Sequence, residues 1–215
     1  MCWQHRVMTA TRPPLVPLVG RHVVVEPITP DDLAELHPAI ARPEVFAGGW
    51  GGGSAAFRGD LEGWSDFMRG YLPWGPGNVY GVRRVGPEGP GALVGTTTLA
   101  SFELANESAH VGWRAYAPET WGTAVNVETK LLVLGTAFEH GFGRVQIQAD
   151  AANARSRAAI AKLGATFEGV LRRTQPRADG TWRDTAVYAV LADEWPRVQE
   201  GLTARLAAHQ EPSRL

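Results

Sequence analysis

Between Ala117 and Asn126 the chain reads Ala-Pro-Glu-Thr-Trp-Gly-Thr-Ala-Val-Asn, a run of small residues with one glycine at its centre. Ser108 to Tyr116 before it has the pattern of a strand. Asn126 to His140 after it has that of a helix, with an apolar stripe at Leu131, Leu132, Leu134, Ala137 and Phe138. A small-residue loop between a strand and a helix start exposes unpaired backbone N–H groups at the positive end of the helix dipole, and diphosphates bind there. An ordinary strand-to-helix turn capped by Asn126 fits the same letters. Other chemistries lack their residues: there is no GxxxxGK[ST] loop, no GxSxG elbow, and no Cys/His cluster with metal-ligand spacing, so no metal is expected.

The elements that must position this loop follow from periodicity and punctuation. Val23-Val24-Val25 is a short strand closed by Pro27, and Thr29-Pro-Asp-Asp opens a helix reaching about Ile40. Phe46 to Ser54 is too glycine-rich for regular structure and reads as a mobile loop around Trp50, either a surface connection or a lid over an acceptor site. Asp60 to Tyr71 is a second helix. Three strands with short turns follow (78–85, 93–102, 108–116), which implies antiparallel neighbours. The 126–140 helix then delivers a strand at 144–149 that could lie parallel to 108–116. Asn153 to Leu163 is a helix stopped by Gly164. Phe167 to Arg173 and Thr181 to Leu191 form a hairpin, and a terminal helix runs to about Ala208. This order predicts one α+β domain over 18–208, a mixed sheet with helices on both faces. A parallel pair that diverges would leave a ligand crevice at its strand ends.

Bulk composition is consistent with this. The 215 residues are 44% hydrophobic and 20% charged, with a formal net charge of −1, so no global field draws the chain to nucleic acid or an anionic membrane. The single cysteine, Cys2, excludes an intramolecular disulfide and fits a reducing compartment, and no apolar run approaches 18 residues, so a cytoplasmic protein is expected. Residues 1–17 read as a disordered extension with Met8 as an alternative start, and 209–215 as a frayed tail.

Four segments in this order resemble the GCN5-related N-acetyltransferases (GNAT), especially the branch that acetylates ribosomal-protein N-termini. They are Leu18 to Pro27, Trp121 to Lys130, Asn153 to Ala165, and Glu168 to Arg172 with Asp179 to Asp184. The resemblance implies a sheet with a central splayed parallel pair and acetyl-CoA as co-substrate. It also implies acetyl transfer to a primary amine, a peptide N-terminus or a small molecule, by direct attack without an acyl-enzyme. A non-catalytic acyl-CoA-binding domain is the alternative, and a homodimer is among the assemblies the family allows.

Site roles follow from the same resemblance. The diphosphate cradle is Trp121, Gly122, Thr123, Ala124, Val125 and Asn126, with Glu119 where the family carries Gln or Arg. The backbone of Trp113, Arg114 and Ala115 pairs with the pantetheine amides. Asn153, alternatively a plain helix cap, hydrogen-bonds the pantetheine arm, and Arg155, Arg157 and Lys162 either approach the 3′-phosphate or are exposed helix residues. Ile160 stands where many relatives carry a tyrosine near the departing thiolate, so Ser156 becomes the candidate for the CoA sulfur. Glu103, with Asn106 three residues on, is the expected base, and Glu107 and His110 are the fallbacks. Strict alternation would put His110 on one face with Gly112 and Arg114. Trp50, Glu103 and His110 are the expected acceptor-side residues. Arg172, Arg173, Arg177 and Arg183 read either as salt-bridged surface or as recognition of an acidic acceptor.

Overall fold

The computed structural model describes residues 10–209, so Cys2, Trp3, Met8 and the tail from 210 lie outside the described residues. Eight strands form one sheet: β1 (Leu18–Val19), β2 (Val23–Pro27), β3 (Asn78–Gly86), β4 (Gly89–Glu103), β5 (Ser108–Tyr116), β6 (Arg144–Asp150), β7 (Thr166–Pro176) and β8 (Trp182–Leu191). Their order is β1-β2-β3-β4-β5-β6-β8-β7. Every neighbouring pair is antiparallel except β5–β6, which is parallel. The parallel pairing runs from Ser108↔Arg144 to Val111↔Ile147 and stops, although both strands continue. The expected splay is therefore present and starts after Val111.

Helices cover both faces. On one face α1 (Leu33–Ile40), α2 (Pro43–Ala47) and α3 (Leu61–Tyr71) bury Leu33, Leu36, Phe46, Trp64 and Met68. On the other, α4 (Ala124–Glu139), α5 (Ala154–Leu163) and α6 (Trp195–Ala208) bury Val127, Leu134, Ile160, Val198 and Leu202. Local signals explain the helix ends. Asp60 caps α3 through Gly63 N, Asn153 caps α5 through Ser156 N, and Gly164 ends α5 in the left-handed region at φ 95°.

Several expectations need correction. Thr123, not Asn126, caps α4, its hydroxyl accepting from Val125 N at 3.3 Å. The buried face of α4 is wider than the expected stripe: Leu134 and Ala137 are buried and Leu131, Leu132 and Phe138 pack against the core while partly exposed, but Glu128, Thr129 and Lys130 are buried as well. Residues 10–17, expected within a disordered extension, are docked. Thr11 N donates to His140 O at 2.9 Å, Arg12 donates to Gly75 O at 2.8 Å, and Asn78 Nδ2 donates to Pro13 O at 3.0 Å. These bonds satisfy an extended proline-rich segment that cannot form elements of its own. The glycine stretch is not a bare loop either. It holds the end of α2 and two 3-10 turns, Trp50–Gly52 and Ser54–Ala56.

Candidate active site

One residue reshapes the centre of the sheet. In β5, Thr98 of β4 pairs with Gly112 and Thr96 pairs with Ala115, so two residues of β5 oppose one of β4. Trp113 takes up the extra length at φ +52°. Such a bulge turns side chains over. Ala109 and Val111 face the α4 side, but beyond the bulge Trp113 and Ala115 pack with α1–α3 while Tyr116 joins the α4 side. His110 therefore stays with Trp113, their rings 5.3 Å apart, and not with Arg114, which the bulge sends to the α4 face with Tyr116. The alternation expected for His110, Gly112 and Arg114 fails for this reason. Gly112 has its own role: a Cβ there would come within 2.6 Å of the His110 ring, so only glycine lets the imidazole lie over the bulge.

A cleft of about 280 Å³ opens where β5 and β6 part. Of the residues expected at the cofactor, Trp113, Arg114, Ala115, Trp121, Gly122, Asn126, Asn153 and Ser156 line it, as does Trp50 on the opposite side. The loop before α4 is fixed by its own bonds: Thr120 Oγ1 to Ala117 O at 2.8 Å, Thr123 Oγ1 to Thr120 O at 2.6 Å, and Trp121 Nε1 to Tyr116 O at 3.0 Å. Gly122, at φ 80°, has nothing within 4 Å of where a Cβ would stand, so its outer side is free for a ligand. Arg155 stacks on Trp121 with its guanidinium carbon 3.6 Å from the ring centroid, placing a cation at the helix start. Acetyl-CoA fits this wall: a helix N-terminus, an exposed glycine backbone and a cation converge on it.

Other assignments fall elsewhere. Thr123 spends its side chain on the cap, and Ala124 and Val125 are buried in the core, which leaves their backbone for a ligand, as a cradle made mainly of N–H groups requires. Arg157 turns away from the cleft, donating to Tyr188 OH at 3.2 Å and Ala151 O at 3.3 Å. Asn153 commits its side chain at both ends: Oδ1 accepts from Ser156 N at 2.9 Å and Nδ2 donates to Gly48 O. Glu103 stands exposed at the end of β4, accepting from Asn106 Nδ2 at 3.1 Å and paired with Ser108, the first residue of β5. It does not line the cleft, because the splay opens at the other end of β5. Glu107, like Glu103, belongs to that turn, at φ 49°.

Lys130 and the burial of Arg114 were not legible in the sequence, and His110, expected there as a fallback base, has an environment the sequence did not show. Lys130 lines the cleft while buried in α4, its ammonium donating to Ala159 O at 3.3 Å; burial, then the nearby Arg114 and Arg205, hold its pKa well below the usual lysine value. Arg114 Nη1 is out of solvent contact and unpartnered, and burial likewise lowers its pKa. On the opposite face, burial first, then Arg114 and Arg183, push His110 down to about 4, so its imidazole is neutral near pH 7. Its Nε2 is buried without a partner. A lysine on an apolar helix face and a histidine two residues before a glycine are the only sequence traces of these facts.

The arrangement can hold a phosphate-bearing thioester against a splayed strand; His110 does not line the cleft itself, but its ring packs on Trp113 and over Gly112, which do. Comparison with known proteins agrees. The acetyltransferase (GNAT) domain family matches residues 22–166, and the chain belongs to that family. It is an N-acetyltransferase, and members of the family use acetyl-CoA. A T. thermophilus protein provisionally described as an acetyltransferase is 30% identical, with TM-score 0.76, over 89% of this chain and 97% of that one. A GCN5-related N-acetyltransferase from Brucella melitensis shares the fold at 24% identity and TM-score 0.82, covering 98% and 94%. Mycobacterium smegmatis RimJ, solved with CoA-disulfide, does so at 23% identity and TM-score 0.68, covering 88% and 92%. No curated protein matches the chain in sequence. Among the described residues no helix is long and apolar enough to cross a membrane, and no group of His, Cys, Asp and Glu is placed to hold a metal ion.

Proposed function

We propose that the chain transfers the acetyl group of acetyl-CoA to a primary amine by direct attack within a ternary complex, with His110 as proton acceptor and Ser156 as hydrogen-bond donor to the departing sulfur. The observation that carries this reading is the parting of β5 and β6 after Val111↔Ile147, beside the start of α4. Pantetheine amides would pair with the exposed edge of β5 around Trp113 to Ala115, and the diphosphate would meet the N–H groups around Gly122. A backbone N–H in the bulge would stabilise the oxyanion.

Position favours His110 over Glu103: its ring packs on Trp113 and over Gly112, both of which line the cleft, whereas Glu103 stands at the β4–β5 turn. The acceptor must arrive neutral, and an α-amino group with pKa about 7.7 is neutral in roughly one molecule in six near pH 7. The positive charges of Arg114 and Arg183 near His110 raise that share, since they disfavour a further cation. Once the N–C bond forms, the adduct nitrogen is far more acidic than the free amine, and a neutral imidazole can take its proton. As the C–S bond breaks, the electron pair goes to sulfur, where Ser156, on the cleft wall, can donate. Steady-state kinetics on H110Q and S156A test these roles at saturating substrates. The expected loss in kcat for H110Q is about 10²- to 10⁴-fold. Full kcat in both variants would remove both assignments, and CoA binding without acetylation of any amine would remove the reading itself.

A further inference from the structure

Five charged side chains line the cleft: Arg114, Lys130, Asp150, Arg155 and Arg183. Asp150 is the one acid, and it is committed. Its Oδ2 accepts from Arg177 at 2.7 and 3.2 Å, and its Oδ1 from Ala152 N at 2.9 Å. Arg155 stands at the start of α4, where the donor's phosphates answer it. Arg114 and Lys130 lie on the α4 side of the sheet. Arg183 is different. It lies on β8 out of phase with Ala186, Tyr188 and Val190, which face α4, and so belongs to the acceptor side with Tyr71 and His110. Its Nε is buried without a partner, and its one side-chain bond is a long one to Gln175 at 3.4 Å. Burial lowers its pKa, with Tyr71 and Asp150 opposing that effect.

The glycine stretch roofs this side of the cleft. Asn153 donates to Gly48 O, and Ala178 N, in the β7–β8 turn, donates to Gly52 O at 3.4 Å. A Cβ on Gly49 would stand 2.9 Å from Asp150 Oδ2, so the glycines exist for close approach across the cleft. Trp50 is held edge-on against Phe46 at 5.0 Å and Tyr71 at 5.3 Å. The cleft beneath this bridge has Trp50 and Tyr71 in its walls.

We propose that the acceptor is a small amine that also carries a carboxylate, as an amino acid does, with the carboxylate bound by Arg183 beneath the Gly48–Gly52 bridge. This rests on the acetyl-transfer reading above and names its acceptor class. A guanidinium with a buried, unpaired Nε offers a carboxylate two parallel hydrogen bonds. A polyamine would instead bring further positive charge beside Arg183 with no acid free to receive it. A protein N-terminus would have to displace the bridge.

The test uses the full chain with acetyl-CoA and matched acceptors: an amino acid and its decarboxylated amine, with spermidine and an alanine-started peptide alongside. The amino acid is expected to exceed its decarboxylated partner in kcat/KM by about 10- to 150-fold, the worth of a charged hydrogen bond. R183M should bring that ratio close to 1, and R183K should keep part of it. Thermal melts establish that R183M folds; if it does not, R183K alone must lower the ratio. Preference for spermidine, the peptide or the decarboxylated amine overturns the assignment, as does an unchanged ratio in R183M or in R183K. Acetylation restricted to amines without a carboxylate overturns the acceptor class and leaves acetyl transfer standing. Bound CoA with no amine acetylated overturns both.

Discussion

Two buried charges sit two residues apart in α4 and face opposite regions of the molecule. Glu128 points to the β1–β2 hairpin and accepts from three backbone N–H groups: Arg21 at 3.0 Å, His22 at 2.6 Å and Val23 at 2.8 Å. Gly20 keeps the hairpin close enough for this, since a Cβ there would collide with the Glu128 carboxyl. Lys130 points to the cleft and has one carbonyl, while its charged neighbours Arg114 and Arg205 are both cations. The same helix thus carries one charge whose burial is fully compensated and one whose burial is not. A compensated charge holds a fold together, whereas an uncompensated one is stabilised only when a ligand arrives.

Removing each charge should therefore move stability in opposite directions. E128A leaves three hairpin N–H groups without their acceptor, that of Val23 fully buried, and is expected to cost about 2–4 kcal/mol, a large part of a typical domain's stability. K130M removes a poorly compensated cation and is expected to stabilise the ligand-free chain by about 1–2 kcal/mol while weakening acetyl-CoA binding. Denaturant unfolding with and without CoA measures both. The sign for Lys130 also sets a pH trend. Its folded pKa lies below its unfolded value, so the unfolded state binds more protons between the two, and ligand-free stability rises with pH across that window up to about 10.5. K130M should lack this rise. If K130M destabilises as much as E128A, the contrast between the two ends of this polar patch collapses.

His110 sharpens the comparison from the other side of the sheet. Its folded pKa is about 4 against 6.5 for the free side chain, so the unfolded state binds more protons between these values. Stability is present above about pH 6.5 and is lost as pH falls toward 4, by up to about 3 kcal/mol. Unfolding midpoints from pH 7 to 4 should show this loss in the parent chain and a flatter profile in H110Q. Equal slopes would mean that the imidazole reaches solvent and that the cleft is more open than the Gly48–Gly52 bridge implies.

The order of elements was legible because each boundary is a local matter. Asp60, Asn153 and Gly164 mark helix ends by their own chemistry, and the meander from Asn78 to Tyr116 is set by alternation and turns. The parallel pair and its crevice followed from that order. The bulge at Trp113 was not legible, because nothing in His-Val-Gly-Trp-Arg-Ala-Tyr distinguishes nine regular strand residues from eight with one extra. That one residue decides which face Trp113 and Arg114 serve, and so which of them His110 meets. Lys130 escaped for a related reason: a lysine in a helix reads as surface until the packing of α5 places Ala159 against it. Arg157 erred the other way, since its place on α5 suggested a phosphate and the packed sheet gave it Tyr188.

The smallest expected effect tests which end of β5 the acceptor reaches. Glu103 pairs with Ser108, four residues before Gly112, which at about 3.3 Å per residue separates it from the cleft by about 13 Å along the strand. Its carboxylate is exposed and bound to Asn106, so E103Q should keep kcat within about twofold and stability within about 0.5 kcal/mol. Kinetics at saturating acetyl-CoA and acceptor, with a thermal melt as control, decide it. A hundredfold loss in kcat with an unchanged melt would place the proton acceptor at the β4–β5 turn. The amine would then enter from the closed end of the parallel pair, where Ser108 to Val111 still bond to β6, and that pairing would have to open during turnover.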